Sequence, residues 1–412
     1  MEKRVTMERK YLYFPIESKT RELDAKMLLT YYAIKNNYNV ILGDHTPIFN
    51  HLPLLPKGII LSKGHPHGDS RKKHMANAKK LDYTLVELDE EGLIFGHNYT
   101  RLGLNDDYIK ILEHVYCWGN LAKENIANNF PAYKDKLHIT GHPRFDLLKP
   151  KYRDLYSDQV KNIKQKYGDY ILVNTRFTVY NHFFYGLNPK QVYIKSLFEQ
   201  FLKLIHQLSR TFPNLNIIVR PHIHESLIPY INHFKGIKNV FVIHEGSVGQ
   251  WISASKAVIH NSCTTGIEAF LLDKPVIAYL PLKYNEEKNL LANSVTEKAI
   301  EIQQVIDFIN TAQLGRNTDD KKNLLSKHYG GMDENYSHPK IINLLNKLNV
   351  KGESSIKEST IKALSSLNNG NHTLVTESEL KNFFNKMDKI ERTNSNIIIT
   401  PIAKDLIEIK SK

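Results

Sequence analysis

Short apolar segments alternate with longer amphipathic segments along most of the 412 residues. The first cycle runs from an apolar segment at 10–16, through helical spacing of apolar residues between 23 and 33, to a second apolar segment at 39–43. Strand, helix and strand in this order form a βαβ unit with parallel strands. Further strands are predicted at 58–61, 83–86, 115–119 and 138–141. The pattern predicts an N-terminal α/β domain over residues 1–150.

A polar, charged segment at 149–167 separates this domain from a second alternation of the same kind. The apolar spacing between Leu197 and Leu208 predicts a long helix. Strands are predicted at 170–174, 216–220, 240–244, 257–260 and 276–279. A second α/β domain is therefore predicted over residues 151–350. A cleft between two such domains is the expected ligand site, because polar residues follow the carboxyl ends of the strands.

The last segment, residues 351–412, is polar at its start and then contains one amphipathic helix. Its apolar face consists of Leu380, Phe383, Phe384, Met387 and Ile390. Thr376 and Glu379 have the spacing of a capping box at its start. This face could dock on the body, on a partner chain or on a membrane, and we expect docking on the body.

Four predicted strands of the second domain are followed by polar residues suited to phosphate. These segments are Asn174-Thr175-Arg176, Arg220-Pro221-His222, His244-Glu245-Gly246-Ser247 and Asn261-Ser262-Cys263-Thr264-Thr265-Gly266. Parallel strands end at one edge of their sheet, where the N-termini of the following helices favour anions. Arginine adds a fork of donors that matches phosphate. We predict a nucleotide site at this edge.

The segment 256–281 predicts strand, small-residue turn, helix and strand. Hydroxyl groups of Ser262, Thr264 and Thr265 could add donors to the free N–H groups at the helix start. The alternative is an ordinary N-capped helix of an α/β protein.

Two segments of the first domain also carry candidate chemistry. Asp89-Glu90-Glu91-Gly92 follows a predicted strand, and repulsion among three acids raises a pKa, which makes one of them a candidate general base. The alternative is a solvated acidic turn. In the segment 141–146, Arg144 and Asp146 are expected to pair and to fix the hinge between the domains.

Composition narrows the classes of partner and site. The net charge of +13 suits a nucleotide, an anionic membrane surface or a nucleic acid, and the absence of nucleic-acid-binding motifs disfavours the last. Two cysteines, Cys117 and Cys263, suit a reducing compartment. The acid pairs at 106–107 and 319–320 have no third ligand nearby, so no metal is expected.

The N-terminus is charged and has no apolar core, and no run approaches the roughly 18 apolar residues of a spanning helix. A cytoplasmic location is expected, with peripheral contact to the cytoplasmic face of the inner membrane permitted. The phosphate-binding glycine motifs GxGxxG and GxxxxGK[ST] are absent, as is GxSxG.

With these residues in view, residues 10–300 resemble the bacterial surface carbohydrate biosynthesis proteins, which belong with the GT-B glycosyltransferases. The resemblance rests on Glu17 with Arg21-Glu22-Leu23-Asp24, Asp89-Glu90-Glu91-Gly92, Gly141-x-Pro143-Arg144, Arg220-Pro221-His222, His244-Glu245-Gly246-Ser247 and Asn261 through Glu268. It implies two Rossmann-like domains facing a central cleft, with the donor nucleotide on the second. Glu17 and Arg21 would then lie on the acceptor side.

Two related groups suggest the donor. Bacterial sialyl- and polysialyltransferases are similar at Glu90-Glu91-Gly92, His222 and Thr264-Thr265, although here Pro221 precedes the histidine instead of following it. Teichoic-acid glycerophosphotransferases, which use CDP-glycerol, are similar at Gly141-x-Pro143-Arg144-x-Asp146, at Arg220-x-His222 and over 271–279. Both imply a cytidine nucleotide, and the acidic motif favours a CMP-activated ulosonic acid.

The resemblance therefore implies transfer of a sugar from CMP to a glycan or lipid-linked acceptor of a surface polysaccharide such as lipopolysaccharide or capsule, without cofactor or metal. Phosphate would be bound by Ser262, Thr264 and Thr265, leaving-group charge neutralised by Arg220 and His222, and ribose or base held by Glu245 and Glu268. Glu91 or Glu90 would be the base in an inverting reaction, and Asp89 the nucleophile in a retaining one. The alternatives are a CDP-glycerol or CDP-ribitol type of polyol-phosphate transferase, a UDP-sugar 2-epimerase and a non-catalytic nucleotide-binding scaffold.

Overall fold

The computed structural model describes residues 9–64, 69–93, 104–181, 189–283, 290–311, 319–353, 355–366 and 375–412. The chain divides into two units. Unit 1 comprises Met1–Leu147 and Ser326–Lys412, and unit 2 comprises Leu148–Leu325. The second predicted domain therefore ends 25 residues earlier than expected, because the chain returns to the first unit at residue 326.

Unit 1 begins with six short strands, each followed by helical structure. Its strands are β1 Lys10–Ile16, β2 Tyr38–Asp44, β3 Gly58–Ser62, β4 Thr84–Leu88, β5 His114–Cys117 and β6 Leu137–Ile139. Its helices are α1 Lys19–Ile34, α2 His45–His51, α3 Asp69–Lys80, α4 Asp106–Ile111, α5 Asn120–Asn129 and α6 Pro143–Asp146, with 3-10 turns at Leu52–Leu54 and Pro131–Lys136. The strands pair in parallel in the order β2-β1-β3-β4-β5-β6.

Unit 2 contains a second sheet of six parallel strands. These are β7 Tyr170–Asn174, β8 Asn216–Arg220, β9 Val240–Val242, β10 Ala257–His260, β11 Val276–Tyr279 and β12 Glu297–Ala299, in the order β12-β11-β10-β7-β8-β9. A 3-10 turn at Pro150–Tyr156 leads into the helices α7 Ser157–Tyr167, α8 Thr178–Asn181, α9 Pro189–Thr211, α10 Ile228–His233, α11 Val248–Ala254, α12 Thr265–Leu271, α13 Leu291–Val295 and α14 Ile302–Thr311. β7 and β10 are buried along their whole length, as expected for strands covered on both faces of a parallel sheet. This explains why their sequences are almost continuously apolar.

The last part of the chain completes unit 1. Helix α15 Asp319–His328 crosses the boundary, and α16 Ser337–Asn346, α17 Glu358–Ser366, α18 Glu377–Glu391, β13 Ile397–Ala403 and β14 Leu406–Ser411 follow. β14 pairs antiparallel with β2, so the hairpin covers an edge that would otherwise expose unpaired backbone groups.

The predicted docking of the tail helix on the body is confirmed within unit 1. The capping box of Thr376 and Glu379 begins α18. The ring of Phe384 stacks on Tyr31 of α1 at 6.4 Å, and the hydroxyl of Tyr31 donates to Asp388 Oδ1 at 2.8 Å. The sequence prediction of the tail did not include the β13–β14 hairpin.

The fold class is as predicted: two α/β units built on parallel sheets. Each unit has its own apolar core, one around Tyr13, Ile60 and Leu85 and the other around Ile171, Phe201 and Ile259. Among the helices of the described ranges, none combines the length and the apolar character that crossing a bilayer requires.

Candidate functional site

The four polar strand ends of unit 2 lie side by side. Strands β10, β7, β8 and β9 are direct neighbours, and all of their pairings are parallel. Asn174 is in register with Arg220 on one side and with His260 on the other. The convergence predicted from the sequence is therefore present, and we call this row of loops the donor edge.

Arg220 is the central cation of the donor edge and is only 6% exposed. Its Nη2 donates to the backbone oxygen of Gly246 at 2.6 Å and to that of Glu245 at 3.3 Å, and its Nη1 lies 3.3 Å from His244 Nδ1. Burial lowers the pKa of Arg220 to about 10, although the charge of Glu268 opposes this shift. The guanidinium remains charged at neutral pH and connects two of the loops.

Several buried polar atoms at the donor edge have no hydrogen-bond partner among the described residues. They are both amide atoms of Asn174, Oδ1 of Asn261, Nε of Arg220 and the hydroxyl oxygen of Thr265. Asn174 and Asn261 are each only 2% exposed. Buried polar groups without partners are costly, and most of those among the described residues of unit 2 lie at this edge, which is the pattern of a site that binds a polar ligand.

The turn from Asn261 to Gly266 is held from beneath by His260. The backbone N–H of Cys263 donates to His260 Nδ1 at 3.3 Å, and His260 Nε2 lies 3.0 Å from the hydroxyl of Thr296. Burial lowers the pKa of His260 to about 3, so the ring is neutral. A Cβ on Gly266 would lie 2.5 Å from His260 Nε2, which explains glycine at this position.

The hydroxyl groups of this turn are not used for capping. Thr264 occupies the position before α12, and its side chain makes no capping hydrogen bond, so the alternative of an ordinary N-capped helix does not describe this turn. Ser262 adopts a φ of 61°, and its hydroxyl accepts from Asn293 Nδ2 at 2.8 Å. The amide of Asn261 donates to the backbone oxygen of Arg176 at 3.3 Å, which joins this turn to the loop after β7.

Glu225, for which no role was predicted from the sequence, fixes the loop of His222. Its buried carboxylate accepts from the N–H groups of Phe177 and His222 at 2.9 and 3.1 Å and from the Tyr230 hydroxyl at 2.6 Å. Burial raises the pKa of Glu225 against the opposing effect of these donors. The only sequence signal for this role was an acid close behind the Arg220-Pro221-His222 segment.

The remaining predicted donor residues are distributed along the same edge. Glu245 and Gly246 are exposed, Ser247 and Arg176 are half-buried, and Glu268 is buried on α12. The ring of His222 lies 3.5 Å, between Nδ1 and Oγ1, from Thr178. Their roles in nucleotide binding stay predictions.

In unit 1 the acidic segment meets a buried group of cations. Glu90 is 2% exposed, with one carboxylate oxygen 3.2 Å from Lys26 Nζ and the other 3.1 Å from His142 Nε2. Burial alone would raise the pKa of Glu90, but His142 and Lys26 outweigh burial and lower it. The expected rise in pKa therefore does not occur at Glu90, because positive and donor groups surround it.

The other acids of this segment are more accessible. The Glu91 carboxylate pairs with Arg21, and its backbone N–H donates to Asp89 Oδ1 at 3.1 Å. The backbone oxygen of Asp89 accepts from Trp118 Nε1 at 2.6 Å. A carboxylate at the surface of this group can reach an external hydroxyl, which the buried carboxylate of Glu90 cannot.

Glu17 continues the same network after β1. Its carboxylate pairs with Lys63 and with Arg71, and Lys63 Nζ lies 3.4 Å from the buried Glu22. Burial raises the pKa of Glu17, but Lys63 and Arg71 outweigh it and lower the pKa. Lys26 and Lys63 were not predicted from the sequence. The available signal was the spacing of Glu22 and Lys26, four residues apart on the buried face of α1.

The predicted pairing of Arg144 with Asp146 is wrong. The Asp146 carboxylate instead accepts from the backbone N–H of Ser337 at 2.8 Å and from the N–H and Nδ1 of His338, both at 2.9 Å. Asp146 thereby fixes the start of α16. The Arg144 guanidinium lies over the rings of Trp118 and Phe145 at 5.7 and 5.6 Å.

No group of three or more metal-ligating side chains occurs in the part of the chain that the structure describes. No known protein-family model matches the sequence. A search among curated protein sequences also finds no match.

Solved structures do share the fold. A UDP-GlcNAc 2-epimerase of Methanocaldococcus jannaschii, in complex with UDP-GlcNAc and UDP, has a TM-score of 0.53 at 14% identity over 82% of this chain and 99% of its own. MnaA of S. aureus, bound to UDP, has a TM-score of 0.52 at 14% identity over 84% and 99%. The wall teichoic acid polymerase TagF with CDPG has a TM-score of 0.53 at 12% identity over 83% and 89%. This chain has the GT-B fold.

Proposed function

We propose that this chain is an enzyme of surface glycan biosynthesis that transfers a polyol phosphate from a CDP-activated donor, of the CDP-glycerol type, to a glycan or lipid-linked acceptor. The observation that carries the proposal is the donor edge, where buried Arg220 lies among polar atoms of Asn174, Asn261 and Thr265 that have no hydrogen-bond partner among the described residues. A charged, hydrogen-bonding ligand with several oxygens satisfies such a set. A nucleoside diphosphate is a ligand of this kind.

The choice of donor rests on two observations. TagF, which shares the fold, was solved with CDPG. The segments 141–146, 220–222 and 271–279 of this chain resemble teichoic-acid glycerophosphotransferases. Together they support CDP-glycerol over the CMP-ulosonic acid donor that the acidic segment suggested.

In the proposed reaction the diphosphate lies at the turn of Thr264 and Thr265, with Arg220 and His222 balancing its charge. The acceptor hydroxyl attacks the phosphorus that carries the polyol, the bond to the CMP oxygen breaks, and CMP leaves. Glu91 takes the proton of the attacking hydroxyl. Glu90, anionic and buried between Lys26 and His142, positions the segment that presents Glu91.

A second candidate is epimerisation of a UDP-sugar at C2. The observation that favours it is the fold shared with two proteins solved with UDP or UDP-GlcNAc. This reaction requires no acceptor. Transfer of an ulosonic acid from CMP rests on the resemblance at the acidic segment, His222 and the Thr264-Thr265 pair. A scaffold role predicts nucleotide binding without turnover.

The first experiment compares CDP-glycerol, UDP-GlcNAc and a CMP-ulosonic acid in binding and turnover assays of the full chain. We expect the tightest binding with CDP-glycerol and CMP release only when acceptor is present. Glu91→Gln should bind CDP-glycerol normally and lose transfer. Conversion of UDP-GlcNAc without acceptor would establish the epimerase instead, and binding without any turnover would establish the scaffold.

A second experiment tests the donor edge itself. Because the Thr265 hydroxyl has no described partner, Thr265→Ala should leave the Tm of the free protein unchanged yet weaken nucleotide binding by about 2- to 13-fold, the equivalent of one net hydrogen bond. Thr311→Ala, an exposed threonine at the end of α14, is the matched control. Equal affinities of wild type and Thr265→Ala would remove Thr265 from the site.

A further inference from the structure

Exposed large hydrophobic side chains are concentrated in one segment of unit 2. Ile223, Ile228 and Ile231 are 48%, 65% and 51% exposed and fall within a single loop and helix, the loop after β8 and α10. The others among the described residues are dispersed along the chain: Leu54, Val192, Ile300 and Ile398. Single exposed apolar side chains are ordinary, but a cluster marks a contact surface.

This segment is anchored to the core of unit 2, and its isoleucines are exposed. The buried Glu225 carboxylate joins the loop to Tyr230, and the fully buried ring of Tyr230 packs against Phe198 of α9 at 5.1 Å. Ile228 and Ile231 are three residues apart on α10 and therefore lie on the same side of the helix. With Tyr230 anchored in the core, these isoleucines stay at the surface.

The exposed charges within this segment of the chain have one sign. Between residues 221 and 240 the only acidic residue is Glu225, which is buried. His224, His233, Lys235 and Lys238 of this segment are exposed. We call the exposed residues of 223–238 the isoleucine surface. Apolar side chains bordered by lysines match a bilayer with anionic headgroups, where the apolar groups enter the acyl boundary and the cations contact phosphate.

We propose that the isoleucine surface docks this protein on an anionic lipid bilayer. The surface begins one residue after His222, so the same strand end that carries Arg220 to the donor edge also carries the bilayer contact. The net charge of +13 adds long-range attraction to the same partner. Docking does not require the nucleotide, so it is independent of the proposed reaction.

The test is sedimentation of the full chain with vesicles, without nucleotide. Vesicles of phosphatidylcholine with roughly 30% phosphatidylglycerol should bind the wild type, and vesicles of phosphatidylcholine alone should bind it far less. Ile228→Ser/Ile231→Ser should lower the partition coefficient by about tenfold or more. Lys235→Glu/Lys238→Glu should lower it and reduce its dependence on salt. Ile300→Ser, which changes an isoleucine that is 62% exposed on the same unit, should bind as the wild type does.

Wild-type binding by Ile228→Ser/Ile231→Ser, or an equal loss in Ile300→Ser, would overturn the proposal. Light scattering after size exclusion gives a further check. If wild type is a dimer that does not bind vesicles and Ile228→Ser/Ile231→Ser is a monomer, the isoleucine surface joins two copies of this chain. That result would also overturn the proposal. Nucleotide affinity of the same variant should equal that of wild type, which separates this result from any failure of the donor edge.

Discussion

Replacement of Lys26 by methionine tests the buried ion network of unit 1 most directly. Lys26 is 1% exposed, and its ammonium nitrogen lies 3.2 Å from a Glu90 carboxylate that is itself 2% exposed. Lys26→Met preserves the length of the side chain and removes its charge. Glu90 would then keep His142 Nε2 at 3.1 Å but lose a buried cation.

Removing one partner of a buried ion pair costs about 3–5 kcal/mol, since the other charge is left uncompensated. In a domain of 150–250 residues each kcal/mol lowers the Tm by about 2–4 °C, so Lys26→Met should lower the Tm of unit 1 by roughly 6–20 °C. The double variant Lys26→Met/Glu90→Met leaves no unpaired charge and should recover at least half of that loss.

The two tryptophans make the assay specific to one unit. Trp118 belongs to unit 1 and stacks on His142 at 4.5 Å, and Trp251 belongs to unit 2. In a Trp251→Phe background, indole fluorescence during heating therefore reports unit 1 beside the network. Lys19→Met is the control, since Lys19 lies on the same helix but in a half-exposed pair with Glu379. It should change the free energy of unfolding by at most about 1 kcal/mol, which corresponds to a Tm shift of about 2–4 °C. Equal losses in Lys26→Met and in the double variant would refute the reasoning.

Two further predictions concern the turn of unit 2. Gly266→Ala should destabilise unit 2 by about 1–3 kcal/mol and weaken nucleotide binding, because the added Cβ would lie 2.5 Å from the buried His260 ring. Gly249→Ala is the control, since the nearest atom to its added Cβ is 3.7 Å away. Equal Tm values for the two variants would contradict the packing argument. The pKa of His260 is about 3 in the folded protein and 6.5 ordinarily. Between pH 3 and pH 6.5 the unfolded chain therefore binds a proton that the folded protein does not. The free energy of unfolding should fall by about 2 kcal/mol from pH 7 to pH 5. In a Trp118→Phe background, urea unfolding followed by Trp251 fluorescence should show this loss when His260 is present and a smaller loss in His260→Gln. The same loss in both would assign the proton to another group.

The sheets of both units were predictable because their strands are short apolar runs bounded by polar turns. β1, β7, β8, β10 and β11 have the predicted bounds for this reason. The C-terminal hairpin was missed although its Ile397-Ile398-Ile399 run favours a strand.

The return of the chain to unit 1 had no local signal. It depends on contacts between distant residues, such as the Asp146 carboxylate at the start of α16. The convergence of the donor-edge residues was predictable because each of them directly follows its own strand. The direction of the Glu90 pKa was not, since Lys26 and His142 come from α1 and from the loop after β6.

The C-terminal hairpin has a consequence for biosynthesis. β2 pairs with β14, so this edge of the first sheet is still unpaired when residues up to 405 have been translated. Unit 2, in contrast, is complete in sequence at Leu325. Unit 1, whose translation starts first, is therefore the last unit that can finish folding. Release of the nascent chain before β14 is made would leave the edge of β2 unpaired and prone to aggregation.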